Sequence, residues 1–141
     1  MAISEHPPIG TIIICDFSAG FKQPEMVKRR PVVVISPKIA SRAGLCTIVA
    51  LSTTTPVPKI PYHCQLQIDP PLPDPWGSHS MWVKGDMVYA VAFHRLDLIR
   101  LGKDDRGKRI YRFHCLNHDQ LREVRECLLR SIGLSVLTKH L

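Results

Sequence analysis

Short apolar, β-branched runs, separated by Gly, Pro and Ser, dominate the first two-thirds of the chain and most constrain its fold. The runs occupy residues 11–17, 32–35, 45–51, 62–68 and 82–93, and Gly85 interrupts the last of them. Runs of this length and composition predict β-strands. A parallel sheet would need helical crossovers between the strands, and these runs have no helical spacing between them. We therefore predict an antiparallel sheet that forms a small barrel or sandwich.

The end of the chain has the spacing of a helix instead. Its apolar residues recur three or four positions apart, at Leu121, Val124, Leu128 and Ile132. Asn117 with Gln120 three residues later is typical of a capping box, and Gly133 is typical of a helix end. The sequence predicts one amphipathic helix over residues 118–132.

Two segments stand out between these elements. Residues 109–115 alternate in polarity and are predicted to pair with residues 97–101 through the turn at 103–107, which makes a basic hairpin. Residues 54–80 carry most of the prolines, and proline-rich chain cannot join a sheet interior. This Pro-rich loop either closes over a groove or is an idle insertion, and the second interpretation is favoured.

The composition is that of one globular domain, residues 1–141. With 45% hydrophobic and 22% charged residues, the chain can bury a core, which excludes a disordered protein. Its apolar runs are far shorter than the ~20 residues that span a membrane. The first residues lack the basic and apolar regions of a secretory signal, so we expect a cytoplasmic protein with no membrane partner.

Positive charge is in excess and unevenly distributed. The formal net charge is +7, and residues 84–112 alone carry eight basic and four acidic residues. A basic surface favours polyanionic partners, of which nucleic acid is the commonest. A net positive charge also aids solubility, so charge alone leaves the partner open.

We predict no metal site, no cofactor and no disulfide framework. The five cysteines include no C-x-x-C pair, and the His-Cys pairs at 63–64 and 114–115 match no zinc-finger spacing. Cys15, Cys46 and Cys127 lie within apolar patterns, which predicts core positions. The twelve acidic residues are scattered, so a two-metal nuclease site is not expected.

Several motifs between Gly10 and Thr54 agree in residue type and spacing with one known family. In order, they are Gly10, Asp16-Phe17, a charged loop with Glu25, Arg30-Pro31-Val32-Val33-Val34-Ile35-Ser36-Pro37, and a strand ending in Ser52-Thr53-Thr54. This order resembles the MazF/PemK family of toxin ribonucleases from type II toxin–antitoxin modules. The resemblance implies a mainly β fold with a C-terminal helix, a small SH3-like barrel of the CcdB–PemK type. The Pro-rich loop and the basic hairpin are then insertions.

The resemblance also implies a reaction. The family cleaves RNA without a metal: the ribose 2′-OH attacks the adjacent phosphate, which leaves a 2′,3′-cyclic phosphate and a free 5′-OH. The reaction needs a base, an acid and cationic donors to the phosphate oxygens. Arg30 matches the family's arginine, whose planar fork can hold two phosphate oxygens, and Thr53 matches its hydroxyl at the end of the next strand. Without the resemblance, both would be ordinary strand-end residues.

Three more residues are catalytic candidates by resemblance. Lys84-Gly85-Asp86 resembles an Arg-Cys-Asp motif of some PemK-type members. Lys84 and Asp86 face the same way on a strand unless Gly85 forms a bulge, and they are either an acid and a base or a surface ion pair. Glu25 stands where the family has an acidic residue that helps catalysis or orients the arginine, and a solvated carboxylate is the alternative. The histidine that some members carry in the first loop is missing here, so the general acid is not identified.

Single-stranded RNA is the expected substrate, because its unstacked bases can be read by side chains. We expect Lys22, Lys28, Arg29 and Arg95 to bind the RNA backbone and Phe21 to stack on a base. The family usually forms homodimers and is neutralised by a small, partly disordered antitoxin in the substrate groove, so the resemblance implies both partners.

Two other functions compete with the ribonuclease. A non-catalytic module would bind RNA or protein through the basic face of the same barrel, and RNA would stay intact whether Arg30 is present or not. A gyrase poison of the CcdB type shares the fold and acts through a C-terminal end that carries a tryptophan. Residues 133–141 contain no aromatic residue, which weighs against the poison.

Overall fold

The computed structural model describes residues 2–112 and 114–141 and is mainly β with one α-helix near the end of the chain, as predicted. Within these residues, eight strands occur in the order β1 (Ile12–Asp16), β2 (Arg29–Val34), β3 (Leu45–Ser52), β4 (His63–Gln67), β5 (Ser80–Ala92), β6 (Leu96–Asp97), β7 (Ile99–Lys103) and β8 (Arg109–Arg112). The helix α1 spans His118–Ser131, and short 3-10 helices occupy Phe93–Arg95 and Ser135–His140.

Six of the strands form one antiparallel sheet in the order β4-β5-β3-β2-β1-β6, and β7 pairs with β8 separately. The predicted antiparallel sheet is confirmed, and the predicted basic hairpin is confirmed between Ile99–Lys103 and Arg109–Arg112. Of the other predicted hairpin residues, Asp97 pairs with Ile14 and Cys115 with Thr11 instead, and residue 113 lies outside the described residues.

The predicted helix is confirmed as well: Asn117 accepts a hydrogen bond from the backbone N–H of Gln120 at 2.8 Å, and the Gln120 side chain accepts from the backbone N–H of Asn117 at 3.1 Å. In the described ranges, neither α1 nor the 3-10 helices is long and apolar enough to cross a membrane.

A wide bulge in β5 confirms the predicted bend at Gly85. Val49 of β3 pairs with Val88, whereas the next residue, Ala50, pairs with Lys84, so residues 85–87 stand outside the ladder. A Cβ atom at Gly85 would lie 2.5 Å from the carbonyl oxygen of Tyr62. Only glycine permits this close approach of backbone to backbone.

The first hydrophobic cluster lies between the sheet and α1. Val124 and Cys127 of the helix are 0% and 3% exposed and pack with strand residues such as Val33 and Val83. The Pro-rich segment packs on the same cluster through Leu72, which is 1% exposed. The prediction of an idle insertion is therefore wrong, because this loop supplies part of the core.

The second cluster lies on the other face of the sheet. It contains Phe17, Ile48 and Leu96, all fully buried, together with Cys15 and Cys46. With Cys127 in the first cluster, the three cysteines predicted to be core residues are confirmed as such.

Candidate active site

Arg30 is the second residue of β2, and the apolar residues that follow it fix the position of its backbone. Its backbone pairs with Cys15 of β1, and its Nε donates a hydrogen bond to the carbonyl oxygen of Val27 at 3.0 Å. No residue in the described ranges reaches its two Nη groups. The guanidinium is thus oriented at one edge and open to an anion at the other.

The loop before Arg30 is fixed at several points. The hydroxyl of Tyr89 accepts from the backbone N–H of Met26 at 3.1 Å, and the backbone N–H of Phe17 donates to the carbonyl of Lys28 at 2.8 Å. Lys28 has φ 74°, a left-handed conformation that non-glycine residues adopt only at some cost. The anchor at Val27 therefore belongs to an ordered loop.

Side-chain alternation places a group of polar and aromatic residues on the face of the sheet opposite the first cluster. The first cluster contains one residue from each of four strands: Val33, Leu51, Leu66 and Val83. Residues an odd number of positions away on the same strand face the opposite side of the sheet. These residues are Arg30, Ser52, His63, Gln65, Trp82 and Lys84, and we call them the polar face. The ladders align them, because Trp82 pairs with both Ser52 and Gln65, and Lys84 pairs with both Ala50 and His63.

Thr53 follows directly after the polar face ends on β3. Ser52 is 5% exposed, and its hydroxyl accepts from the backbone N–H of Thr54 at 3.1 Å, whereas Thr53 is exposed. Continuing the register from the pair Val32–Ala50 puts Arg30 opposite Ser52. Arg30 and Thr53 therefore come to the same end of the β2–β3 pair.

Asp86 lies in the β5 bulge and pairs with a residue that the sequence interpretation did not assign. Its Oδ1 is 2.9 Å from Nε2 of His63. The Asp86 side chain is 38% exposed, whereas that of His63 is 6% exposed. Asp86 therefore pairs with His63 and not with Lys84, the ion pair that was the predicted alternative. The sequence signal for His63 was only its place in a predicted strand, since the pairing of β4 with β5 cannot be read from a single strand.

Glu25 closes a turn within its loop. Its Oε2 accepts from the backbone N–H of Lys22 at 3.0 Å, and its own N–H donates to the carbonyl of Lys22 at 2.9 Å. We expected Glu25 to orient Arg30, but the carbonyl oxygen of Val27 accepts from the guanidinium instead. A direct role of Glu25 in catalysis stays a prediction.

The residues predicted to bind RNA divide into two groups. Lys22 and Lys28 are exposed loop residues. Arg95 instead anchors the loop, since its Nη1 donates to the carbonyls of Asp16 at 3.2 Å and Ala19 at 2.7 Å.

Phe21 and Arg29 also have protein partners. The Phe21 ring lies under the Arg95 guanidinium, 4.8 Å from ring centroid to Cζ, and packs edge-on against Phe17 at 5.1 Å. Arg29 forms an ion pair with Asp97 at 3.2 Å and faces away from Arg30. Their RNA contacts stay predictions, whereas their contacts within the protein are structural.

The carboxylate of Asp16 is held at the end of β1, one residue past the partner of Arg30. The side-chain hydroxyl and backbone N–H of Ser18 both donate to its Oδ1, and these hydrogen bonds lower the pKa of Asp16. The residue thus caps the turn into the loop. Within residues 2–112 and 114–141, no three His, Cys, Asp or Glu side chains are grouped as metal ligands.

Residues 9–132 match the sequence model of the PemK-like, MazF-like toxins of type II toxin–antitoxin systems. The chain belongs to this family. The match spans the motifs around Arg30 and Thr53, the β5 bulge and α1.

Two curated relatives in the same size range have no assigned function. The chain is 29% identical over 151 aligned positions to the uncharacterised protein YifN of Escherichia coli (strain K12), an alignment that covers 94% of this chain and 96% of YifN. It is 28% identical over 149 positions to an uncharacterised Haemophilus influenzae protein, covering 97% of this chain and 98% of that protein.

Solved structures share the fold of this PemK/MazF-type chain. MazF from Deinococcus radiodurans superposes with a TM-score of 0.57 at 22% identity, covering 92% of this chain and 98% of that one. A mycobacterial endoribonuclease solved with its cognate antitoxin gives 0.55 at 16% identity, covering 92% and 96%. The MazE–MazF complex from D. radiodurans gives 0.55 at 21% identity, covering 93% and 99%.

Proposed function

We propose that this PemK/MazF-type protein is a metal-independent endoribonuclease that cleaves single-stranded mRNA at short sequence motifs in the cytoplasm and so arrests growth. The observation that carries the proposal is the hydrogen bonding of the Arg30 guanidinium. Its guanidinium is anchored through Nε to Val27, its Nη groups are open among the described residues, and Thr53 lies at the same end of the sheet. A fixed fork, at the end of the sheet that also carries a threonine hydroxyl, suits a phosphodiester whose oxygens gain charge in the transition state.

The proposed chemistry is the one that the family resemblance implies. The 2′-oxygen attacks phosphorus and the bond to the 5′-oxygen breaks, so one proton must leave the 2′-OH and one must reach the leaving oxygen. Asp86 is our candidate for the base and Lys84 for the acid, while Arg30 and Thr53 donate to the phosphate oxygens. One strand separates Lys84 from Arg30, and Lys84 aligns with Val32, two residues along β2 from Arg30, so their backbones are about 12 Å apart, which two long side chains can span.

The substrate class is inferred from Trp82 and its neighbours. Trp82 is half-buried, and the exposed amide of Gln65 pairs across the ladder from it. An aromatic ring among polar groups can stack on an unpaired base, whereas a duplex keeps its bases stacked inside. Sequence preference would then depend on the side chains of this face.

Partners are inferred from the family and from the surface. We propose that a cognate antitoxin neutralises this chain and that two copies form a homodimer. In support, the end of the chain exposes apolar side chains to solvent: Val136 is 71% exposed and Ile132 is 59% exposed. Apolar side chains exposed close together are typical of an interaction surface.

The test is cleavage of a long single-stranded RNA in excess EDTA, with single-stranded DNA of the same sequence in parallel. We expect discrete RNA fragments and intact DNA. Arg30→Ala should abolish the fragments. Arg122→Ala, which removes an exposed arginine from the solvent side of α1, should leave them unchanged. RNA that is bound but stays intact with all proteins would support the non-catalytic binding module instead.

A further inference from the structure

We propose that His63 is a positioning residue that fixes the carboxylate of Asp86 for proton transfer. This inference rests on the proposed ribonuclease function and extends its site to a residue on β4. It stands on the contact between the His63 imidazole and the Asp86 carboxylate, on the burial of His63, and on the place of Asp86 outside the β3–β5 ladder.

The backbone of Asp86 explains why its side chain needs a partner. Residues 85–87 leave the ladder, so no strand pairing fixes Asp86 directly. Gly85 beside it is held firmly, because its N–H donates to the carbonyl of Tyr62 at 3.0 Å and its carbonyl accepts from the hydroxyl of Ser131 at 2.8 Å. The bulge is thus rigid at Gly85, while the orientation of the next side chain depends on what it contacts.

His63 supplies that contact from the adjacent strand. Its backbone pairs with Lys84, two residues before Asp86, and its Nε2 lies 2.9 Å from Oδ1 of Asp86. The Tyr62 ring packs edge-on against the imidazole, with 5.1 Å between ring centroids. Packing on one side and a hydrogen bond on the other hold the ring in a single orientation.

The hydrogen-bonding inventory of the imidazole assigns the proton. Nδ1 of His63 is buried and has no partner among residues 2–112 and 114–141. A doubly protonated ring would therefore bury an N–H with no acceptor, which is costly. With its proton on Nε2, the imidazole donates to Asp86 and buries an unpaired acceptor at Nδ1 rather than an unpaired N–H.

This arrangement divides the two carboxylate oxygens by role. Oδ1 accepts from His63, whereas Oδ2 has no partner among the described residues, and 38% of the side chain is exposed. The exposed oxygen can accept the proton of a ribose 2′-OH. The His63 side chain is only 6% exposed, so His63 acts through Asp86 and does not itself contact RNA.

The test compares three substitutions at His63 in single-turnover RNA cleavage. In His63→Gln, the amide nitrogen takes the place of Nε2 and keeps the donor; in His63→Asn, the amide is too short to reach; in His63→Leu, the donor is gone. We expect His63→Gln to keep the wild-type rate within about threefold. We expect His63→Leu and His63→Asn to lose about 100-fold in rate with unchanged RNA affinity, as a misplaced catalytic group does.

A double substitution distinguishes positioning from an independent role. If His63 acts only through Asp86, His63→Leu combined with Asp86→Asn should be no slower than Asp86→Asn alone. His118→Leu, an exposed histidine at the start of α1, is the matched control and should keep the wild-type rate. Thermal unfolding of every variant separates loss of rate from loss of fold.

The outcomes separate this inference from the proposed function. An active wild type whose His63→Leu variant cleaves normally, even with a lowered Tm, overturns the positioning role and leaves the ribonuclease intact. If His63→Leu does not fold, equal rates for His63→Gln and His63→Asn overturn it in the same way. A folded wild-type protein that binds RNA and never cleaves it overturns both proposals.

Discussion

The Nε of Arg30 donates to the carbonyl oxygen of Val27, three residues earlier in the chain, at 3.0 Å. This single bond couples the arginine to the conformation of the loop before β2. A hydrogen bond between Met26 of this loop and Tyr89 of β5 in turn holds the loop against the sheet. The orientation of the guanidinium is therefore set before any substrate binds.

Arg30→Lys should lower the rate of RNA cleavage by about 100-fold or more, which is the usual cost of removing one donor aimed at developing charge. Lysine keeps the charge but has no Nε–H for Val27 and no planar fork. Arg29→Lys is the matched control, since its ion pair with Asp97 on the other side of the sheet tolerates an ammonium group. A wild-type rate in Arg30→Lys would mean that charge alone, rather than the anchored fork, matters, and an equal loss in Arg29→Lys would mean that the effect is not specific to the Arg30 anchor.

The sequence predicted the strands, the bend at Gly85, the hairpin and the capped helix, because each depends on local rules. Hydrophobic runs, turn residues and a capping box act over a few residues. The Pro-rich loop was misjudged because the burial of Leu72 depends on a surface formed by strands far away in the chain.

In the candidate site, too, local sequence identified some residues, whereas others depend on contacts between distant parts of the chain. Arg30 and Thr53 were found from motifs, whereas His63 required the pairing of β4 with β5, which no local pattern specifies. The structural use of Arg95 was also invisible, because it bonds carbonyls 76 and 79 residues away in sequence. A basic residue can be assigned to RNA only after its contacts within the protein are known.

Trp82 should report RNA binding directly. In a Trp76→Phe protein, Trp82 is the only tryptophan, and we expect its fluorescence to be quenched when single-stranded RNA binds. In the reciprocal Trp82→Phe protein, Trp76, which packs against the first cluster, should not respond. Trp82→Ala should weaken RNA binding about tenfold, since base stacking on an aromatic side chain contributes ~1–3 kcal/mol. A response from Trp76 alone would place the RNA on the opposite face.

Gly85→Ala should destabilise the protein by about 1–3 kcal/mol, the usual cost of overpacking. The added Cβ would meet the carbonyl oxygen of Tyr62 at 2.5 Å and the backbone carbon of Cys127 at 2.8 Å. Both are backbone atoms, in the turn before β4 and in α1, so neither can move without shifting the main chain. Gly77→Ala is the control: its Cβ would meet the Asp74 carboxylate at 2.8 Å, the mobile end of a side chain. Urea unfolding measures both, and equal free energies of unfolding for the two variants would contradict the tight bulge.

Alkaline pH should weaken the fold through two buried thiols. Burial raises the pKa of Cys15 from 9.0 to about 12 and that of Cys46 from 9.0 to about 11. Above pH 9 the unfolded chain loses these protons while the folded chain keeps them, so stability is complete below that pH and falls as the pH rises towards 12. Urea unfolding between pH 7 and pH 11 should show this decline, and Cys15→Ala should make it shallower. An identical slope in that variant would assign the decline to other groups.

The central claim is that the ribose 2′-OH of the substrate is the nucleophile at a site built on Arg30. A short RNA that contains one cleavage site, and the same RNA with a single 2′-deoxy nucleotide on the 5′ side of the scissile phosphate, should be incubated with the protein in excess EDTA. Mass spectrometry of the products then identifies the new ends. We predict a 2′,3′-cyclic phosphate and a 5′-hydroxyl from the all-RNA strand and no cleavage of the 2′-deoxy strand. Cleavage of the 2′-deoxy strand, or a 5′-phosphate on the product, would contradict the account.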